Sequence, residues 1–201
     1  MEKLINQDDR FFVAGHRGMA GSAICRALQR SGYDNLLTAS RDELDLLDIN
    51  AVQRWFAENK PTVVVMAAAK VGGIFANNEQ KAKFIYENIM IQTNLIHSSY
   101  LAGVKKLIFL GSSCIYPKYS KQPIKEDYLM TGKLEETNDS YAIAKIAGYK
   151  MCEAYNKQYK TNYVCLMPTN LYGPNDNYDL KNSHFFSALI AKIHFALKKK
   201  N

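Results

Sequence analysis

Short apolar runs alternate with longer amphipathic stretches along the chain. Phe11-Phe12-Val13-Ala14 predicts a short buried strand, Ala20 to Gln29 a helix ended by Ser31-Gly32, and Leu36-Leu37-Thr38-Ala39 a second strand. Asp48 stands where it can cap a helix that runs through Trp55 and Phe56 and closes near Pro61. Val63 to Ala69 is apolar without alternation, the pattern of a parallel strand covered on both faces. A long helix is predicted from Lys81 to Ala102, stopped by Gly103, and a fourth strand at Leu107-Ile108-Phe109-Leu110. After a polar, loop-rich stretch from Pro117 to Thr137 come a long helix, Ser140 to Tyr159, and a fifth strand, Tyr163 to Leu166. Leu171-Tyr172-Gly173-Pro174-Asn175 breaks the pattern, and Ser183 to Lys198 reads as a last, apolar helix. Strands separated by helices imply right-handed βαβ units, hence an α/β, Rossmann-type doubly wound parallel sheet with helices on both faces. No internal repeat or low-complexity linker interrupts it. Phe185, Phe186, Leu189, Ile190, Ile193 and Phe195 in the last helix have no later strand to cover them, so a partner or a further segment is expected to bury them.

The 201 residues suffice for one domain with its own core. No apolar run reaches the ~18 residues of a membrane span, and the charged first ten residues lack the apolar region of a signal peptide, so a cytoplasmic chain is expected. Cys25, Cys114, Cys152 and Cys165 are scattered with no Cys-x-x-Cys pair, which predicts no metal site and no redox pair. The net charge of +7 is assigned to anionic small ligands and to the Lys198-Lys199-Lys200 tail. Nucleic acid is not expected as a partner, because no basic stripe is interleaved with aromatic residues.

Gly15-His16-Arg17-Gly18-Met19-Ala20-Gly21 follows the first strand and opens the first helix. Glycines at this spacing permit a tight turn and close approach of a pyrophosphate to a helix N-terminus. A reader of NAD places a carboxylate at the end of the second strand. Here that position reads Ala39-Ser40-Arg41. Arg17 and Arg41 can bracket a 2′-phosphate as forked cationic donors, which predicts NADP(H) as the cofactor. Asp48 either meets the adenine edge or caps its helix, and the two roles are compatible.

Tyr141-Ala142-Ile143-Ala144-Lys145 puts a phenol and an ammonium on one helix face. The cation is expected to stabilise the phenolate and lower the Tyr141 pKa. Tyr141 would then protonate the oxygen formed on reduction of a ketone, Lys145 would hold the nicotinamide ribose, and Ser112, in the Gly111-Ser112-Ser113-Cys114 turn, would hydrogen-bond the same oxygen. A plain turn hydroxyl is the other reading of Ser112. The small residues Ala67-Ala68-Ala69 leave room for the ribose, although close helix packing explains them too.

These segments resemble extended short-chain dehydrogenase/reductases acting on nucleotide sugars, and among them the NADPH-dependent epimerase–reductases. The likeness is carried by Ala14 to Met19, Arg41-Asp42-Glu43-Leu44, Ala67 to Gly73, Gly111-Ser112-Ser113-Cys114-Ile115-Tyr116-Pro117, Tyr141 to Lys145, and Met167-Pro168-Thr169-Asn170-Leu171-Tyr172-Gly173-Pro174. The resemblance implies that GDP-4-dehydro-6-deoxy-D-mannose is epimerised at carbons 3 and 5 and then reduced at carbon 4. It assigns the acid and base of the epimerisation to Cys114 and His184. It places NADP contacts at Leu110, Gly111, Ser112, Ser113, Lys145, Pro168, Thr169, Asn170, Leu171 and His184, and a diphosphate contact at Lys192. Members of the family run on into a smaller substrate domain. Residues 1–180 are therefore expected to be the NADP-binding domain with the catalytic residues, and 181–201 the start of a truncated substrate-binding region. A homodimer through the two long helices follows by fold analogy alone. Two other readings remain: a nucleotide-sugar epimerase or dehydratase that recycles NAD, against which Cys114 and the missing acid speak, and a non-catalytic NADP-binding module, which would have no need of Tyr141 and Lys145 together.

Overall fold

A computed structural model describes residues 4–179 and 183–198. The strands are β1 (Phe11–Ala14), β2 (Leu36–Leu37), β3 (Val63–Met66), β4 (Lys106–Leu110) and β5 (Tyr163–Leu166). The helices are α1 (Met19–Arg30), α2 (Ile49–Asn59), α3 (Ile74–Glu79), α4 (Lys81–Leu101), α5 (Asp139–Tyr159) and α6 (Phe185–Lys198). The expected boundary between residues 180 and 181 lies outside the described residues, as do Lys199 and Lys200.

All strand pairs are parallel, in the order β2-β1-β3-β4-β5. The chain first runs outward from β1 to β2 and then reverses toward β5. Right-handed crossovers therefore put α1 on one face and α2, α4 and α5 on the other, where α4 packs against both of its neighbours. The reversal leaves a crevice at the C-terminal ends of β1 and β3, where ligands bind in sheets of this kind.

The core lies under α2, α4 and α5. Phe12 of β1, Val64 and Met66 of β3, and Leu107 and Phe109 of β4 meet Val52, Phe56, Leu95, Ile96 and Cys152. Trp55 packs on Phe12 with ring centroids 4.2 Å apart and the planes tilted by 37°. The opposite face is thinner beyond β3: Val164 and Leu166 are 38% and 48% exposed, and Ile108 and Leu110 beside them are only half-buried. The apolar side chains of α6 also face outward, Phe185 being 81% exposed, and only Ser187 and Ala191 of that helix are buried.

Local chemistry fixes the ends of the elements. Asp48 accepts hydrogen bonds from the Asn50 and Ala51 amides at 2.8 and 3.2 Å and so starts α2. Lys60 ends that helix in a left-handed conformation, φ 46°, just before Pro61. Asp9, buried at the base of the sheet, is bound by Lys105 at 2.6 Å, by the Asn6 amide at 2.8 Å and by Thr62 at 2.7 Å.

Candidate active site and coenzyme crevice

The three glycines after β1 are not equivalent. Gly15 has φ +85°, and a Cβ on it would lie 2.7 Å from the backbone nitrogen of Ala68. A Cβ on Gly21 would overlap the Gly15 carbonyl oxygen. Both obstacles are backbone, so no rotamer change removes them. Gly18 donates its N–H to the Gly15 carbonyl at 3.0 Å and has room for a side chain. It opens α1 without a side-chain cap, and the first turn of α1 carries no acidic residue. Free N–H groups and a positive helix end favour an anion there. His16 adds a buried Nδ1 with no hydrogen-bond partner. This cradle at the switch point fits the pyrophosphate of a dinucleotide.

Beyond β2 the chain makes a turn in which Glu43 reaches back to accept from the Ser40 amide at 2.6 Å. Arg17 and Arg41 are exposed at this corner, residues 38–41 carry no acid, and the carboxylate that does reach the corner, Glu43, is engaged by the Ser40 amide. Asp48 acts as the cap of α2.

The chemical residues gather where β4 meets α5. Gly111 donates to the Leu166 carbonyl at 2.8 Å, and its lack of a side chain makes room for Met167. Ser112 is extended. Ser113 to Ile115 then form a single 3₁₀ turn, held by the Ser113 amide on the Pro168 carbonyl at 3.2 Å and by the fully buried Ile115. The Ser112 hydroxyl accepts from the Cys114 amide at 3.4 Å, a long bond that leaves it able to donate. Lys145 donates from Nζ to the Leu110 carbonyl at 2.8 Å and lies 5.7 Å from the Tyr141 ring centre and 4.8 Å from that of Phe109. Ser112, Cys114 and Tyr141, all half-buried, thus share one neighbourhood with the buried Lys145.

Its electrostatics correct one expectation. Burial pushes the Tyr141 phenol up, and the Cys114 thiolate nearby adds to the shift. The expected lowering by Lys145 is not found, because burial also lowers the Lys145 pKa to about 8, with Cys114 partly opposing the change. A weakened cation near the phenol cannot outweigh desolvation. Burial likewise raises the Cys114 thiol, against Ser112 and Lys145, which lower it.

Three supporting residues escape a reading of motifs. Asn88 brackets Lys70, accepting from its amide at 2.9 Å and donating to its carbonyl at 3.0 Å, and so fixes the segment after β3. Gln92 donates to the Ala144 carbonyl, tying α4 to α5 one residue before Lys145. Gly148 lets Phe109 and Gln92 approach α5. The signal for Asn88 and Gln92 was available: polar residues four apart on the helix face that also carries Phe84 and Ile96.

Other expected residues stay apart from this group. His184 and Lys192 are exposed, at the start and on the outer side of α6, and no described contact joins them to Cys114 or Tyr141. Thr169, Asn170 and Leu171 follow β5 as exposed chain, while Pro168 holds Ser113. A cleft of about 240 Å³ lined by Lys70, Val71, Gly72, Ala76, Gln80, Phe84 and Asn177 adjoins the site, since Phe84 packs edge-on to Tyr141 at 6.5 Å. A cleft of about 280 Å³ between α5 and β5 contains none of the expected site residues. Among the described residues no cluster could hold a metal ion, and no helix is long and apolar enough to cross a membrane.

A parallel sheet with a glycine cradle at its switch point and a tyrosine–lysine pair beside it defines a Rossmann-type dinucleotide-binding domain. Residues 11–200 match the NAD dependent epimerase/dehydratase family, and the chain belongs to it. It is 56% identical over 187 residues to the GDP-L-fucose synthase of Escherichia coli K12, an alignment covering 93% of this chain and 58% of that relative. The chain therefore spans less than two thirds of the relative's length. Among solved structures it resembles a GDP-mannoheptose C4 reductase from Campylobacter jejuni with NADP bound, at 46% identity and TM-score 0.88, over 96% of this chain and 57% of that one. It also resembles a GDP-L-fucose synthetase from Naegleria fowleri bound to NADP, at 30% identity and TM-score 0.90, over 98% and 65% of the two chains.

Proposed function

We propose that this chain is the coenzyme-binding and catalytic part of an NADPH-dependent 3,5-epimerase and 4-reductase that converts GDP-4-dehydro-6-deoxy-D-mannose to GDP-L-fucose. The observation that carries the reading is the buried Lys145 amine, fixed on the Leu110 carbonyl beside Tyr141 and the Ser112–Cys114 turn. The identity to the E. coli synthase supports the substrate. The cradle of Gly15 and Gly21, the arginines at 17 and 41 and the NADP-bound relatives support the coenzyme.

Bound NADPH would supply the hydride that reduces carbon 4. The chain's own residues do the rest. The 4-ketone acidifies the protons on carbons 3 and 5, and Cys114 and His184 exchange them through an enolate. Ser112 donates to the carbonyl oxygen as negative charge builds there, and Tyr141 delivers the final proton. A phenol with a raised pKa is well suited to remain protonated until that moment. Lys145 orients the ribose and compensates the charge left on Tyr141. Residues 1–180 form the coenzyme domain, and 181–201 begin the substrate region, where Lys192 meets the diphosphate. The protein works in the cytoplasm as a homodimer through the outer faces of α4 and α5.

The test is oxidation of NADPH by the purified chain with the 4-keto sugar nucleotide, alongside coenzyme titrations. NADPH should bind more tightly than NADH, and Tyr141→Phe should slow oxidation by ~10²–10⁴-fold without weakening NADPH binding. A preference for NADH, or a Tyr141→Phe rate equal to wild type, refutes the proposal.

A further inference from the structure

We infer that Glu43 is a positioning residue for coenzyme selection: it holds the turn after β2 so that Arg41 stands with Arg17 around the adenosine 2′-phosphate. The inference rests on the NADPH reading above and extends it to a residue that touches neither phosphate nor sugar.

β2 is only two residues long, so the chain that follows it is not fixed by a sheet ladder. What fixes it is a reciprocal set of bonds. Glu43 accepts from the Ser40 amide at 2.6 Å and also bonds the Ser40 side chain. The Ser40 carbonyl accepts in return from the Glu43 amide at 3.2 Å and the Leu44 amide at 2.9 Å. The carboxylate half matches a Ser-x-x-Glu capping box, while the Glu43 amide is taken by the Ser40 carbonyl and not by its hydroxyl. Ser40 and Leu44 are buried at its two ends, 8% and 4% exposed, and Arg41 is exposed between them. The backbone from which the Arg41 side chain reaches is therefore set by the Glu43 carboxylate.

Glu43 also faces the other side of the corner. Its carboxyl is held below the usual range first by the Ser40 bonds, and further by the charges of Arg17 and His16. Two effects on a 2′-phosphate follow, and they oppose each other. As an acceptor, Glu43 organises the turn. As an anion near Arg17, it repels the phosphate. Glutamine keeps the acceptor and removes the charge, whereas alanine removes both.

Dissociation constants for NADPH and NADH, measured on wild type, Glu43→Gln and Glu43→Ala by fluorescence titration, separate these effects. Glu43→Ala should cut the preference for NADPH over NADH by about tenfold, the scale of one lost cap, with NADH affinity within about twofold of wild type. Glu43→Gln should retain the wild-type preference or exceed it. The role is overturned if Glu43→Ala keeps the preference, if it weakens both coenzymes alike, or if Glu43→Gln falls with Glu43→Ala. A wild-type chain with no preference for NADPH overturns the coenzyme reading itself, and the inference with it.

Discussion

Replacing Lys145 by methionine removes a charge from the interior while keeping an unbranched side chain of similar length. The folded-state pKa of Lys145 is lowered from 10.5 to about 8 by burial. Below pH 8 the amine is protonated in both states, and the folded protein carries the whole penalty of a buried ammonium. A shift of this size corresponds to about 3 kcal/mol. The penalty is relieved as pH rises from 8 toward 10.5, where the unfolded chain still holds the proton and the folded one has released it. Between pH 7 and 9.5 the wild type should therefore gain about 2 kcal/mol of unfolding free energy relative to Lys145→Met. Urea unfolding of both proteins across that interval measures the difference. The substitution also strips the Leu110 carbonyl of its donor, but that loss does not depend on pH and cancels in the comparison. A difference that stays flat with pH would mean that the amine is solvated in solution, and the argument for a tuned site would fail.

Three further outcomes follow from the geometry. Gly21→Ala should cost about 1–3 kcal/mol in urea unfolding and abolish coenzyme binding, because its methyl group meets the Gly15 carbonyl, whereas Gly18→Ala should leave stability near wild type. Asp48→Ala should lower stability by about 1 kcal/mol without changing coenzyme preference, since the two amides it caps belong to α2. Burial opposes ionisation of Asp9, but Lys105, Asn6 and Thr62 outweigh it and hold the carboxyl below its usual range. Its stabilisation should be complete near neutral pH and fade as pH falls below about 4, so Asp9→Asn should flatten the acid limb of the stability profile.

The strand–helix alternation was legible because the strands are apolar runs and α1, α2 and α4 end at a recognisable glycine or proline, whereas α5 ends at a left-handed Lys160 that no breaker marks. The departures have local causes. Thr38 and Ala39 leave β2 because the chain turns at Ser40. Ala67 to Ala69 leave β3 because the sheet opens at the switch point, where Gly15 turns away and Asn88 takes hold of Lys70. The helix α3 has six residues and exposes Ile74 and Phe75, so no periodicity announces it. In the site, the spacing of Tyr141 and Lys145 was enough to place them together. The sign of the Tyr141 shift was not, because it depends on how much water surrounds the pair, a tertiary property no local motif encodes. The Ser40–Glu43 pattern was readable, yet its meaning depended on finding Arg17 across the corner.

Trp55 is the only tryptophan of the chain and rests on Phe12, in the strand that leads into Gly15. The chain thus carries a single indole, which can be excited apart from its tyrosines, at the foot of the crevice. Indole emission overlaps the absorption of a reduced nicotinamide, so energy transfer from Trp55 would reveal occupancy without any label. The same signal would follow the melting of the β1–α2 contact, letting one optical channel report both assembly of the cradle and its filling.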